Sequence, residues 1–251
     1  IKMISIKSKS DLAKMREAGK IAGSALKLAG ESIKAGMTTL ELDKIIHDYI
    51  VKCGATPSFL NYGGFPASAC ISINNEVIHG IPRSSKIIRE GDIVSVDVGA
   101  YYNGFHSDNC ATFPCGKISD EAKALLEVTE ASLYEGIKMA QVGNRLGDIC
   151  HAVEEYCSSR GYGIVRNYCG HGIGRNLHED PEIPNYGKAG HGPRLTAGMT
   201  LCIEPMINVK GDGVKVMKDG WTVLTSSGSL SAHFEQEIAI TAEGPVVLTR
   251  P

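Results

Sequence analysis

Two acids stand in apolar, strand-like runs: Asp97 in Gly91-Asp-Ile-Val-Ser-Val-Asp97-Val and Glu204 in Gly198-Met-Thr-Leu-Cys-Ile-Glu204-Pro. Each follows a glycine by six residues, and the two lie 107 positions apart (204 − 97). A carboxylate held among packed apolar neighbours is costly unless something positive compensates it. Two acids in matching contexts therefore point to a site built around bound cation.

A third acid can be placed beside the first. Asn103-Gly104 is a strong two-residue hairpin signal, because a type I′ turn needs positive φ at both central positions. With those two residues as the turn, Tyr102 faces Phe105 and Asp97 faces Cys110. Asp108 is then the diagonal neighbour on the face of Asp97, at a Cβ separation of roughly 7 Å or less. Like charges so close repel and raise one pKa, unless metal ions held roughly 3.5 to 4 Å apart sit between them. The apolar flanks, Val96 and Val98, argue against a solvated hairpin with two surface acids.

Further donors follow downstream. Tyr168-Cys-Gly-His171-Gly-Ile-Gly174-Arg-Asn-Leu-His178-Glu-Asp-Pro181 sets two histidines in a glycine-rich segment whose spacing matches neither a dinucleotide fingerprint nor a P-loop. Histidines beside a carboxylate site are suited to ligation or acid–base work. In Ser-Ala-His-Phe-Glu235-Gln-Glu237, period-two alternation puts Glu235 and Glu237 on one face, and spacing does not choose between them. Either one joins Asp97, Asp108, His171 and Glu204 in a set of four carboxylates and one imidazole. That is an oxygen-rich set suited to two divalent ions of the manganese, iron, cobalt or zinc type, whose charge it balances. Taken alone, His79 reads as structural, as do His47, His151 and His191.

These groups need a scaffold. Ser10-Asp11 followed by Leu12, Met15, Ala18, Ile21, Ala22, Ala25 and Leu26 has helical spacing with Ser10 as the candidate cap. A second helix is expected from Thr39 to near Gly54, and Ala122–Met139 and Arg145–Ser159 repeat the pair. Strands are expected at Ala69–Asn74, Ile93–Gly99, Cys110–Phe113, Leu201–Ile203, Trp221–Thr225 and Ile238–Thr241. Adding 107 carries Gly36, Leu42, Ile46, Tyr49 and Gly54 onto Gly143, Ile149, Val153, Tyr156 and Gly161. One register thus serves helix and strand, as in a duplication with halves at roughly 10–115 and 117–245. Helices and strands fall in blocks, which favours an α+β fold with a mainly antiparallel sheet over a doubly wound one.

The composition excludes several classes. With 26 basic and 28 acidic residues the net charge is −2, and no basic run interleaves with aromatics, so no dedicated nucleic-acid binding is expected. Eight cysteines without a Cys-x-x-Cys pair argue against a thiolate zinc site, and no apolar stretch has membrane-spanning length. A reducing, cytoplasmic home with no membrane partner is the expectation. Ile1-Lys2 ahead of Met3 reads as a scar in front of the natural start.

Taken as a set, Asn103-Gly-Phe-His-Ser-Asp108, Cys169-Gly-His-Gly-Ile-Gly174, His178-Glu-Asp-Pro181, Ile203-Glu-Pro-Met206 and Met217-Lys-Asp-Gly-Trp221-Thr resemble the type I methionine aminopeptidases of bacterial kind, from about Ile4 to Leu248. The resemblance implies a pita-bread fold spanning residues 4–251 as one catalytic domain, with pseudo-twofold halves and a curved antiparallel sheet covered by helices. It implies metal ligands at Asp97, Asp108, His171, Glu204 and Glu235, with Asp108 and Glu235 bridging two divalent ions (cobalt, manganese, iron, zinc or nickel). It also implies that Glu204 relays a proton, that His178 binds substrate and stabilises the oxyanion, and that His79 assists the leaving nitrogen. Phe59, Tyr62, Phe65, Cys70, Leu177 and Trp221 match the methionine pocket. The implied reaction is hydrolytic removal of N-terminal methionine, with a small second residue preferred, from peptides and from nascent chains at the ribosome, by a monomer. One departure stands out: Gln236-Glu237 occupy positions where the family commonly has histidine and threonine.

Overall fold

In the computed structural model, which describes residues 4–251, Ser8 rather than Ser10 caps the first helix. The Ser8 hydroxyl accepts the Asp11 N–H while the Asp11 carboxylate accepts the Ser8 N–H, so two otherwise orphaned donors are satisfied at once. Ser10 has no such partner and lies inside the first turn of α1 (Lys9–Ser32). A matching Thr38–Glu41 box opens α2 (Thr39–Lys52), and Ser119 caps α3 (Asp120–Met139). The fourth helix is α4 (Leu146–Ser158). Residues 1 and 2, the expected scar, lie outside the described residues.

The strands, in chain order, are β1 (Thr56–Pro57), β2 (Ala69–Ile73), β3 (Glu76–Ile78), β4 (Ile93–Tyr102), β5 (Phe105–Pro114), β6 (Gly163–Ile164), β7 (Gly170–Gly172), β8 (Glu179–Ile183), β9 (Thr200–Ile203), β10 (Met206–Asn208), β11 (Val214–Val216), β12 (Val223–Thr225), β13 (Ser231–His233), β14 (Glu235–Thr241) and β15 (Gly244–Val247). The main sheet runs β1-β4-β5-β14-β9-β7-β8, with β2 also on β4 and β15 also on β14, and its pairings are antiparallel. Two three-stranded sheets, β13-β10-β6 and β11-β12-β3, complete the architecture. The strand expected from Trp221 starts only at Val223, because the Trp221 and Thr222 N–H groups donate to the Asp219 carboxylate instead of to a ladder.

The 107-residue offset reappears in backbone geometry. Gly36, Gly54 and Gly91 have φ of 89°, 75° and 90°, and Gly143, Gly161 and Gly198 have 94°, 82° and 93°. The Gly36 N–H donates to Ile88 and the Gly143 N–H to Leu195; isolated bridges join Thr38 to Ile87 and Arg145 to Arg194. Every partner in the second set is 107 beyond its counterpart.

Apolar packing follows the same division. One buried cluster joins α1 and α2 to the faces of β2 and β4 through Ala22, Leu26, Leu42, Ile46, Val94, Val96 and Val98. Another joins α3 and α4 to β9 and β14 through Leu125, Leu133, Ile149, Val153, Leu201, Ile203 and Ile238. A third, containing Met15, Phe59, Phe65, Cys70, Phe105, Leu177 and Cys202, holds several of the residues that also line the site cavity.

Candidate metal centre

The hairpin forms with the register read from its turn. Asn103 and Gly104 have φ of 50° and 84°, Tyr102 faces Phe105, Asp97 faces Cys110, and Asp108 faces Gly99. Asp97 is thereby brought against Asp108. On the far side of β5, Cys110 pairs with Glu235, so the row Cys70, Asp97, Cys110, Glu235 crosses four strands. Carboxylate oxygens of Asp97, Asp108 and Glu235 lie within 4.8 Å of one another.

The remaining donors arrive from short strands. β9 ends at Ile203, one residue before Glu204, as the following proline requires, and the Glu204 carbonyl accepts from the Asn185 side chain. His171 lies in the middle of β7; its Nδ1 is 2.9 Å from the Gly172 carbonyl, which assigns the proton to Nδ1 and leaves Nε2 as an acceptor. That Nε2 is 3.6 Å from Glu204 Oε1 and 3.8 Å from Asp108 Oδ2. Burial pushes the His171 pKa down to about 3, so the ring is neutral and these contacts are not ion pairs. They are the separations of donors aimed at a common point.

The electrostatics fit a cation. Burial pushes Asp97 up to about 6, and burial together with repulsion from neighbouring acids raises Asp108, Glu204 and Glu235 well above the carboxylate range. Asp97 Oδ1, Asp108 Oδ1 and Glu235 Oε1 are buried without a hydrogen-bond partner in the protein. Buried orphan acceptors of this kind cost free energy unless an ion uses them. Three groupings of carboxylate, imidazole or thiol donors at ligating distance occur among the described residues, and Glu235 belongs to all three, which suits a bridging position.

All thirteen residues expected at the site line one cavity of about 230 Å³: the acids and imidazole Asp97, Asp108, His171, Glu204 and Glu235, the pocket residues Phe59, Tyr62, Phe65, Cys70, Leu177 and Trp221, and the histidines His79 and His178. Phe65 and Trp221 meet edge to face at 5.2 Å. His178 meets His171 edge to face at 4.3 Å between ring centres, and its Nδ1 is 2.7 Å from the Tyr62 hydroxyl. His79 sits at φ 57°, just past β3, and burial lowers its pKa to about 4. A non-glycine residue in the left-handed region is unusual, and here it sets the ring against Tyr168 and Trp221. His47, on α2, instead bonds Ser68, and neither His151 nor His191 lines the cavity.

Two neighbours of the centre were not anticipated. His233 is buried, with Nε2 3.5 Å from Glu204 Oε2 and otherwise unpartnered; alternation along His233-Phe-Glu235 was the available signal. Cys202 Sγ lies within 4.8 Å of donors from His171 and Glu235, in a position that a run of apolar residues conceals.

Residues 13–242 match the profile of metallopeptidase family M24. A methionine aminopeptidase of Clostridium acetobutylicum is 52% identical over 98% of this chain and 99% of its own length, and methionine aminopeptidase 1 of Bacillus subtilis is 49% identical over 99% and 100%. The crystal structure of a methionine aminopeptidase from Thermotoga maritima superposes with a TM-score of 0.98 at 44% identity, covering 99% of this chain and 100% of that one. Fold and family thus agree with the geometry: the chain has the pita-bread fold and belongs to metallopeptidase family M24, among its methionine aminopeptidases.

Proposed function

We propose that the chain removes N-terminal methionine from peptides and nascent proteins, with a small second residue preferred, using two divalent ions held by Asp97, Asp108, His171, Glu204 and Glu235. The observation that carries this reading is the single cavity in which an apolar pocket opens directly onto the orphaned carboxylates. Ions of the manganese, iron, cobalt, zinc or nickel type, when bound, supply the Lewis acidity that activates water near neutral pH and polarises the scissile carbonyl.

The protein's own groups do the rest. Phe59, Phe65, Cys70, Leu177 and Trp221 receive the thioether, a polarizable chain suited to aromatic edges. Glu204, whose oxygens lie 3.6 Å from His171 and 3.5 Å from His233, holds the proton taken from water and returns it to the leaving amine. The Tyr62 hydroxyl lies 2.7 Å from His178 Nδ1; in the tautomer where it donates there, the ring proton resides on Nε2 and stabilises the developing oxyanion. His79, kept neutral by burial, assists the leaving nitrogen. The acid cluster at the floor leaves little room beyond the cut, which favours a small second residue. The repeated backbone contacts support one catalytic unit of two pseudo-repeats across residues 4–251. No helix among the described residues is long and apolar enough to cross a membrane. In this reading the chain works on nascent chains at the ribosome, as a monomer in the cytoplasm.

Metal-stripped protein supplemented with manganese or cobalt is expected to cleave Met-Ala-Ser and to leave X-Pro peptides intact. Cleavage of X-Pro alone assigns a proline-directed peptidase instead, and metal-independent inertness toward both leaves a binding module.

A further inference from the structure

Glu237 is the singled-out residue to which the chemistry above gives no role. Its side chain is 0% exposed. A carboxyl group in a dry interior is costly unless its oxygens are used. Here Oε2 accepts a 2.5 Å hydrogen bond from the Ser107 hydroxyl, itself fully buried and next in the chain to Asp108, while Oε1 is buried without a partner in the protein.

The strand pairing shows why this contact matters. β5 and β14 carry Asp108 and Glu235, yet they pair only at Glu235↔Cys110 and Gln236↔Asn109. One residue further on, β14 turns the same edge to the C-terminal chain: the Glu237 carbonyl accepts from the Leu248 N–H at 2.9 Å, and Ile238 pairs with Val247. The ladder between the two strands therefore stops just short of Asp108. On its opposite edge Glu237 pairs with Cys202, which pairs in turn with His171. Glu237 thus stands where the strands bearing Asp108, Glu235 and His171 meet, and its carboxyl group ties Ser107 of β5 to β14 where the ladder has ended.

We propose that Glu237 is a positioning residue that clasps Ser107-Asp108 to β14, holding the Asp108 and Glu235 carboxylates opposite each other at the separation two divalent ions need. The inference rests on the dinuclear reading above. It separates the role of Glu237 from that of Glu235, two residues away on the same face: one holds the ions, and the other holds a strand that holds them.

The test compares unsubstituted protein with Glu237→Ala, Glu237→Gln and Ser107→Ala, each stripped of metal. Calorimetry with cobalt(II), the visible absorption of the cobalt-loaded protein and hydrogen exchange at the Asp108 amide are measured. Glu237→Ala and Ser107→Ala are expected to weaken cobalt binding by about 10-fold or more, the usual range for residues that orient ligands. They also alter the cobalt absorption and speed exchange at Asp108. Glu237→Gln, whose amide oxygen still accepts from Ser107, restores most of all three. Unchanged affinity and absorption in both Glu237→Ala and Ser107→Ala overturn the inference and leave the dinuclear reading standing. Failure of the unsubstituted protein to bind two cobalt ions overturns both. If circular dichroism shows that Glu237→Ala does not fold, Ser107→Ala decides on the same readouts.

Discussion

Two antiparallel strand pairs carry four of the acids, and they are built differently. β4 and β5 share ten register pairs and are joined by Asn103-Gly104 alone. β9 and β14 share four, and the chain between them makes a long excursion through β10, β11, β12 and β13. Both pairs end with two carboxylates at the centre, Asp97 with Asp108 and Glu204 with Glu235. The first is placed by a local turn, whereas the second is placed by packing between distant segments. A local turn tolerates change around it, and a long-range placement transmits every disturbance to the ligands.

The largest effect is expected where the two pairs must act together. Glu235→Ala and Asp108→Ala should each lower kcat/KM by about 1,000-fold, roughly 4 kcal/mol in transition-state terms. Comparable losses from acids on both pairs establish that neither pair suffices, while full activity in either variant breaks the equivalence.

Gly170→Ala tests the long-range placement directly. A Cβ there meets the Cys202 carbonyl oxygen at 2.2 Å and Glu204 Cγ at 3.3 Å. Because backbone must move, chemical denaturation should show a loss of about 3 kcal/mol, with cobalt affinity falling as Glu204 is displaced.

Removing metal should release the repulsion among the acids and the ligand-linked stabilisation with it. At 100 times the dissociation constant, bound ion contributes about 2.7 kcal/mol per site. Scanning calorimetry with and without cobalt should therefore show a melting difference of about 5–10 °C per occupied site for a chain of this size. No difference would mean that the acids tolerate one another without an ion.

The smallest effect belongs to the hairpin turn. Gly104 has φ of 84° and nothing closer than 3.9 Å to an added Cβ, so Gly104→Ala is expected to cost about 1 kcal/mol of backbone strain. Cobalt affinity should stay unchanged, since the remaining register pairs hold Asp97 and Asp108. A fall in affinity as large as that of Gly170→Ala would erase the contrast between local and long-range placement.

The same contrast explains what could be read in advance. Asp97 and Asp108 were legible because an Asn-Gly turn sets register by counting outward, and the repeat was legible because glycines with positive φ recur at one spacing. Glu235 and Glu237 were not separable, since both lie on one face of one strand. Their surroundings diverge only where β5 leaves β14 and C-terminal chain takes its place. The same alternation places His233 on the face of Glu235, although His233 was not among the expected site residues, and nothing local shows that this face meets Glu204. The first helix cap was misread by two residues because Ser8 and Ser10 both precede the apolar periodicity, and the Asp11 side chain selects the one three residues before it.

By itself, the sequence determined the helices, the hairpin with its paired aspartates, the duplicated register and an oxygen-rich donor set suited to divalent metal. Those follow from short-range rules: turn geometry, alternation, capping and the chemistry of side chains. Short-range rules left open which glutamate joins the acids; tertiary structure brings Glu235 against Asp97 and Asp108, sets His233 and Cys202 beside them, and joins an apolar pocket to the acids in one cavity. Those features depend on where unpaired strand edges and long connections come to rest, which burial and steric fit settle across the whole fold.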